Sequence, residues 1–399
     1  MRLLLLSLLA LFNLLHGAEP KHLELGFPGL AHRIQVVFPT NYDASKKYPA
    51  FLYYHGTNGK PTTELIRAHM NHDDWFTVGM TYVQQGKFTF TPETLAKELT
   101  IQRSVVNNLA TKHNVDTKRI YVGGFSKGGW LSGLFLQAEP GLAGAAIMGA
   151  GHVHQVKATP PKFKRPTPVF LGIGRQDGNY PFALKAITFY RGLGATTTLN
   201  TWHDHGHHYP QSESPALSQW LALTGNPKTD HKAAANTWST SALKELSNID
   251  NPIERWVALL DLRACPYFSL LDQPHKTAFL KARSALEKKP TVAPEVQALA
   301  AHRKLLASEL KTRSKENYKR MLREYTLLSR SISDTRQSKI AQQDADRVNT
   351  LLKHFNEQEI IIKKERQPFG PEPENDPFDP NKPKPTDDRI RIPRNPLIR

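Results

Sequence analysis

The sequence predicts an α/β protein with a mostly parallel sheet in its first half and long helices in its second half. Up to about residue 225, short apolar runs alternate with longer helical stretches. Near-continuously apolar strands that alternate with helices are typical of a parallel sheet covered on both faces. After Gly225 the strand signals fade, and from Gln367 the chain is rich in proline and acidic residues. We therefore expect a sheet domain, a helical extension and a disordered tail.

Seven runs predict the strands of the sheet. They are six to eight residues long and are dominated by β-branched, aromatic or other apolar residues. In chain order they are RIQVVF (33–38), AFLYYH (50–55), FTVGMTYV (76–83), RIYVGG (119–124), GAAIMG (144–149), PVFLGIG (168–174) and TTTLNTW (196–202). Between the third and fourth runs, residues 94–116 predict a helix with one apolar face, formed by Leu95, Leu99, Val106 and Leu109.

The second half of the chain predicts helices. Residues 294–331 carry apolar side chains three, four or seven positions apart amid dense charge, so we expect one amphipathic helix packed on its neighbours. Its apolar stripe consists of Val296, Leu299, Leu306, Leu310, Met321, Tyr325 and Leu328. The predicted segments are a signal peptide (1–18), a sheet domain (19–225), a helical extension (226–366) and a proline-rich tail (367–399).

The N-terminus predicts export. One arginine precedes a leucine-rich run and then small residues before Glu19, a pattern typical of a secretory signal peptide. Cleavage is expected after Ala18, which predicts a secreted or periplasmic protein. The alternative is an uncleaved anchor, which is disfavoured because the run is shorter than the roughly 20 residues that a membrane span needs. Cys265 is the single cysteine, so no intramolecular disulfide can form.

The formal net charge of +17 is spread over the whole chain. Residues 1–225 carry 21 basic and 13 acidic side chains, and residues 226–399 carry 32 and 23. Because no arginine-rich block with interleaved aromatics is visible, we do not expect specific nucleic-acid binding. The basic surface instead predicts electrostatic contact with anionic envelope polymers or a membrane surface, made by the helical extension.

The sequence GFSKG around Ser126 predicts a nucleophile. An apolar strand leads directly into Gly124, and Lys127 to Gln137 are expected to form a helix. A serine on such a sharp turn between strand and helix holds its hydroxyl exposed, and small flanking glycines leave room for it. The alternative is a small residue in a tight turn of a non-catalytic domain.

A serine nucleophile needs a base and an acid that orients the base. Asp177, just after the strand that ends in GIG, is the candidate acid. The next strand leads into WHDHGHHYP, where His207 is favoured as the base because Gly206 permits a tight approach. The chain order Ser126, Asp177, His207 is the order of the triad in α/β-hydrolases. The competing histidines are His203, His205 and His208.

An oxyanion hole is the fourth expected part of the site. It usually combines the N–H of the residue after the nucleophile with an N–H from a loop after an earlier strand. We assign these donors to the backbone of Lys127 and of Thr57, in the loop HGTNG, where His55 and Gly56 shape the turn.

Four stretches together resemble the α/β-hydrolase superfamily, namely YYHGTNG (53–59), VDTKRIYVGGFSKGG (115–129), GRQDGN (174–179) and GHHYP (206–210). The resemblance covers about residues 25–225 and is greatest for the secreted esterase branch that holds polyhydroxybutyrate-depolymerase-like and feruloyl-esterase-like enzymes. It implies cofactor-independent ester hydrolysis through an acyl-enzyme. Two positions differ: those families often carry a cysteine or another residue where Thr57 stands, and a small or uncharged residue where Lys127 stands.

Other readings of the same residues remain open. A peptidase or amide hydrolase would use the same triad, and a non-catalytic envelope-binding protein could keep a hydrolase-like domain for docking. The histidine-rich loop, with His152 and His154, could bind a metal, although the ligand spacing is not that of a known site. Lys127 and Arg175 are expected to be solvated surface charges.

Overall fold

The computed structural model describes residues 21–84, 91–152, 161–202, 205–209, 214–225, 230–311 and 314–365, with side chains as far as Phe355. The predicted signal peptide, residues 1–18, and the predicted tail, residues 367–399, lie outside these ranges. The chain forms two compact units, Met1–Gln297 and Ala298–Arg399.

The first unit contains a sheet whose eight described strands lie in the order β1-β2-β4-β3-β5-β6-β7-β8. The strands are β1 (His22–Leu25), β2 (Ile34–Val37), β3 (Tyr48–Tyr54), β4 (Phe76–Met80), β5 (Val115–Phe125), β6 (Gly144–Met148), β7 (Thr167–Gly174) and β8 (Ala195–Trp202). Strand β2 pairs antiparallel with β1 and β4, and every other described pair is parallel. The predicted mostly parallel sheet is confirmed.

Helices cover both faces of this sheet. In chain order they are α1 (Glu64–Arg67), α2 (Pro92–His113), α3 (Lys127–Ala138), α4 (Tyr180–Gly192) and α5 (Pro215–Gly225). Alternate side chains of β3 pack into the buried clusters on opposite faces of the sheet, because successive side chains of a strand point to opposite faces. Leu52 and Tyr54 join the buried cluster that includes α2 and α3, and Phe51 and Tyr53 join the cluster that includes α5.

The first unit continues beyond the sheet. It holds α6 (His231–Ser247), α7 (Pro252–Asp261), two short 3₁₀ turns (Leu262–Ala264 and Pro266–Leu270) and α8 (Gln273–Glu287). Both 3₁₀ turns contact β8, and the second also contacts α5. The thiol of Cys265, between the turns, donates a hydrogen bond to Gln219 on α5 at 3.1 Å.

The prediction of one continuous helix over residues 294–331 is wrong. The structure has α9 (Ala293–Glu309) and α10 (Lys315–Ser331), followed by α11 (Arg336–Glu365). A new helix begins after Ser314 because its hydroxyl accepts a hydrogen bond from the N–H of Asn317, which caps the first turn. Met321 and Tyr325 of the predicted stripe are buried, in a cluster with Val348 of α11.

Ionised side chains are buried in the second unit. The guanidinium of Arg347 donates two hydrogen bonds to Glu309, both at 2.7 Å, and a third to Asp344 at 3.1 Å. The carboxylate of Glu309 also accepts the Tyr325 hydroxyl at 2.8 Å. Among the described residues, no helix of either unit is long and apolar enough to cross a membrane.

Candidate active site

Ser126 lies on the sharp turn between β5 and α3. Its backbone has φ 57° and ψ −117°, a left-handed conformation that costs a non-glycine residue free energy. Two interactions hold it there: its N–H donates to the carbonyl of Met148 at 2.9 Å, and its own carbonyl accepts the first helical hydrogen bond, from Trp130, at 3.0 Å. The turn therefore holds the Ser126 side chain at the carboxyl edge of the sheet.

The two glycines of GFSKG are needed because the end of β3 packs directly against them. A Cβ on Gly124 would lie 2.2 Å from the carbonyl oxygen of Tyr54, and a Cβ on Gly128 would lie 2.0 Å from the same atom. No side chain fits at either position without moving the backbone of the central strand.

Asp177 lies on the loop after β7, and His207 lies on the loop after β8. These two loops pack against each other. The N–H of Gln176 donates to the carbonyl of His205 at 3.0 Å. A Cβ on Gly174 would lie 2.2 Å from the carbonyl of Gly206, so the glycine permits this close approach. The two loops thus bring Asp177 and His207 together.

The structure brings the three predicted residues into one hydrogen-bonded row. Asp177 Oδ2 lies 2.7 Å from His207 Nδ1, and His207 Nε2 lies 2.8 Å from Ser126 Oγ. Asp177 is 2% exposed and its other oxygen accepts the N–H of Asn179 at 2.8 Å. The His207 side chain is 43% exposed, so it is open to small molecules. A proton on Nδ1 leaves Nε2 free to accept the serine hydroxyl.

The segments that carry the two predicted oxyanion donors lie beside Ser126. Lys127 is the first residue of α3, and the N–H groups of a helix's first turn have no acceptor within the helix. A Cβ built on Gly56 would lie 3.7 Å from the Cβ of Ser126, so the loop that carries Thr57 borders the nucleophile. The carbonyl of Gly56 accepts hydrogen bonds from Gly59 N–H at 3.1 Å and from His55 Nδ1 at 2.7 Å.

The expectation that Lys127 and Arg175 are solvated surface charges is wrong. Lys127 is 8% exposed and Arg175 is 3% exposed. Both cations lie over tyrosine rings, with Lys127 Nζ 3.9 Å from the centroid of Tyr82 and Arg175 Cζ 4.3 Å from that of Tyr180. Cation–π contact and hydrogen bonds offset part of the cost of desolvating such charges.

The sequence reasoning missed the buried acid Glu98. It is 2% exposed and accepts the N–H groups of Val83 and Gln84, at 2.9 and 3.2 Å. The signal was its position on α2, three residues after Leu95 and next to Leu99, on the face that faces the core. A carboxylate on an apolar helix face requires partners.

The described residues cover only part of the histidine-rich loop and its neighbours, which were considered above as a possible metal site. Among them, no group of three or more His, Cys, Asp and Glu side chains could hold a metal ion. His203, Asp204 and His154 lie outside the described residues. His205 and His208 are described, and neither occupies the position between Ser126 and Asp177 that His207 fills.

One family model matches the sheet-forming part of the chain. Residues 29–224 match the model of the Phospholipase/Carboxylesterase family. No curated protein sequence matches the chain. A carboxylesterase structure from Bacillus cereus is similar at 17% identity, covering 53% of this chain and 98% of that one, with a TM-score of 0.41. A carboxylesterase from Mesorhizobium loti is similar at 18% identity, covering 51% and 99%, with a TM-score of 0.41.

A third similar structure is the fluorophosphonate-binding serine hydrolase F of Staphylococcus aureus. It is 14% identical, with 52% of this chain and 100% of that chain covered and a TM-score of 0.38. The matched segment has the α/β-hydrolase fold and is similar to the Phospholipase/Carboxylesterase family.

Proposed function

We propose that this protein is an exported serine hydrolase that cleaves carboxylic esters, with Ser126 as nucleophile, His207 as base and Asp177 as the residue that orients the base. The observation that carries the proposal is the row of two hydrogen bonds, 2.7 and 2.8 Å long, that joins these three side chains. They come from three separate loops, and their chain order is that of an α/β-hydrolase triad.

The proposed reaction has two halves. Ser126 Oγ attacks the ester carbonyl carbon while its proton passes to His207 Nε2, and the N–H groups of Thr57 and Lys127 hold the oxygen that becomes negative. When the tetrahedral intermediate collapses, the alcohol leaves with the proton from His207, and an acyl-Ser126 ester remains. Water then attacks this ester, gives its proton to His207, and releases the acid as the proton returns to Ser126.

The test combines a covalent probe with single substitutions. Wild-type protein should be labelled by a fluorophosphonate in a 1:1 ratio, and Ser126→Ala should not be labelled. Ester turnover should fall by about a thousandfold or more in Ser126→Ala and His207→Ala, since removal of such a residue costs several orders of magnitude in rate.

Two matched controls keep this test specific. Ser104→Ala alters a serine whose hydroxyl bonds only its own helix, at 2.9 Å from the Thr100 carbonyl, and His208→Ala alters the exposed neighbour of His207. Both should keep the wild-type rate. Turnover by Ser126→Ala within tenfold of wild type would overturn the assignment.

The same experiment separates the other two functions. A peptidase would be labelled but would prefer peptide substrates to matched esters. An envelope-binding protein with an inactive hydrolase-like domain would stay unlabelled. Feruloyl esters and polyhydroxybutyrate, set beside short-chain esters, test the more specific resemblance to the secreted esterase branch.

Export forms a separate part of the proposal. It rests on the leucine-rich N-terminus and on the predicted cleavage after Ala18. Mass spectrometry of the protein recovered outside the cytoplasm should then give a chain that begins at Glu19. An uncut N-terminus in the membrane fraction would favour the anchor reading.

The second unit supplies the proposed contact with anionic envelope polymers. Lys319, Arg323 and Arg330 are exposed on one face of α10, and no described carboxylate forms a salt bridge with any of them. At 1.5 Å per residue the row is about 16 Å long. Binding of full-length protein to teichoic acid or heparin should weaken with salt, and Lys319→Gln/Arg323→Gln/Arg330→Gln should weaken it further than Lys97→Gln on α2. Equal binding by both variants would contradict this role.

A further inference from the structure

We propose that the side chain of Lys127 is a positioning residue for the oxyanion hole, acting through Tyr82 and Glu98. The inference rests on the proposed function, in which the N–H of Lys127 is one of the two oxyanion donors. It adds that the buried ammonium of the same residue fixes the loop that carries the other donor.

The Lys127 ammonium joins the start of α3 to the loop after β4. Its Nζ donates a hydrogen bond to the carbonyl of Gln84 at 3.4 Å and lies 3.9 Å from the ring centroid of Tyr82. The side chain is therefore directed under the loop of residues 82–84 and is held there by a carbonyl and an aromatic face, both of which attract a cation.

Glu98 holds the same loop from the side of α2. Its carboxylate accepts the N–H groups of Val83 and Gln84, so the loop gives its N–H groups to the acid and a carbonyl to the lysine. Burial raises the pKa of Glu98 and lowers the pKa of Lys127, and each charge opposes the shift of the other. Each charge thus offsets part of the cost of burying the other.

Tyr82 carries the connection to the oxyanion loop. Its hydroxyl donates a hydrogen bond to the carbonyl of His55, and its ring packs against the His55 imidazole, with centroids 4.7 Å apart. His55 in turn donates from Nδ1 to the carbonyl of Gly56 at 2.7 Å. Burial lowers the pKa of His55, which favours the neutral ring. The hydrogen bond to the Gly56 carbonyl places the one ring proton on Nδ1.

The fixed carbonyl of Gly56 sets the direction of the Thr57 N–H. In a planar trans peptide the C=O of one residue and the N–H of the next point in opposite directions. Hydrogen bonds from His55 and Gly59 to the Gly56 oxygen therefore aim the Thr57 N–H away from them. This series of contacts joins the two proposed donors and does not include His207 or Asp177.

The test measures stabilisation of the oxyanion separately from substrate binding. Lys127→Met should lower kcat for a p-nitrophenyl ester by about tenfold to a hundredfold, with KM changed less than about threefold, because misaligned donors act mainly in the transition state. The Ki of a trifluoromethyl ketone, which forms a tetrahedral adduct with the serine, should rise by the same factor as kcat/KM falls. Lys127→Arg, which keeps the cation over Tyr82, should recover part of the loss. Lys97→Met, an exposed neighbour of Glu98, should behave as wild type.

Three further variants test whether the effect of Lys127→Met comes from misfolding rather than from a misplaced oxyanion loop. The pair Lys127→Met/Glu98→Gln removes both buried charges together, and Tyr82→Phe keeps the ring but removes the hydroxyl that reaches His55. Both should lower kcat and raise the trifluoromethyl-ketone Ki together, whereas Glu98→Gln alone should do so more weakly. Folded variants with unchanged kcat and Ki would overturn the inference, as would a rise in KM alone, which would make Lys127 a substrate-binding cation. Failure of wild type to react with a fluorophosphonate would instead overturn the proposed function.

Discussion

The hydroxyl of Tyr209 donates a hydrogen bond to the carbonyl of Leu65 at 3.0 Å, across 144 residues of sequence. Tyr209 follows His207 by two residues, and Leu65 lies in α1. The ring of Phe125 contacts two residues of the histidine loop: it packs edge-on to Tyr209 with centroids 5.9 Å apart, and its centroid lies 5.0 Å from that of the His207 ring. The histidine loop is therefore held at two points, at His207 by Asp177 and at Tyr209 by Leu65.

Removing the Tyr209 hydroxyl should loosen this anchor. Tyr209→Phe keeps the ring contacts and loses one hydrogen bond, which is worth about 1 kcal/mol. We expect kcat/KM for a small ester to fall about threefold to tenfold, with little change in thermal stability. Tyr42→Phe, near the opposite ends of the strands, is the matched control and should keep full activity. A Tyr209→Phe enzyme as active as wild type would show that Asp177 alone positions His207.

The three residues of the hydrogen-bonded row could be predicted from the sequence because the proposed chemistry restricts the residue types and their order. A serine between glycines after an apolar strand, an acid after a later strand and a histidine after the last have few alternative assignments. The positions of the loops between them depend on backbone contacts such as Gln176 to His205, which no local pattern encodes.

Other features could not be predicted from patterns. Strand β1 has four residues with alternating exposure, too few to distinguish a strand from a loop. The residue type of Lys127 favours the surface, whereas its burial depends on Tyr82 and Gln84, which are distant in sequence. The break between α9 and α10 depends on one capping hydroxyl within an otherwise helical pattern.

The contact of Gly128 with β3 predicts a stability defect. In Gly128→Ala the new methyl group would lie 2.0 Å from the Tyr54 carbonyl oxygen, so α3 or the centre of the sheet must move. Overpacking of this kind costs about 1 to 3 kcal/mol or more. We expect a lower urea midpoint for Gly128→Ala and no loss for Gly141→Ala, since nothing lies within 4 Å of a Cβ there. Equal midpoints for the two variants would contradict the packing argument.

The thiol of Cys265 should react slowly in the folded protein. Burial raises its pKa to about 11, so at pH 8 the folded chain holds far less thiolate than the unfolded chain. The more basic thiolate is a better nucleophile, which offsets part of the loss, and we expect alkylation about tenfold slower than in urea. Iodoacetamide labelling followed by mass spectrometry measures both rates. The folded rate should keep rising with pH up to about 11, beyond the point where the rate in urea levels off. Equal rates at pH 8 would show that the partial burial of Cys265 does not protect its thiol.

Two truncated chains can test how much of the sequence is needed for ester hydrolysis. Every residue assigned to the reaction lies before residue 210, so the sequence predicts that a chain ending at Gly225 keeps ester turnover. The structure adds that the first compact unit extends to Gln297 and that its 3₁₀ turns contact β8, the last strand of the sheet. An uncovered edge strand pairs readily with other chains.

A chain ending at Gln297 should therefore be monomeric and should hydrolyse small esters within about twofold of the full-length rate. One ending at Gly225 should aggregate, because it loses the turns beside β8 and the hydrogen bond from Cys265 to Gln219. Size-exclusion chromatography and p-nitrophenyl ester turnover, run on both chains at matched concentration, measure these outcomes. If the shorter chain is monomeric and fully active, the covering segment is dispensable. If the longer chain folds but is inactive, the second unit completes the active site, and the assignment of the whole reaction to the first unit is wrong.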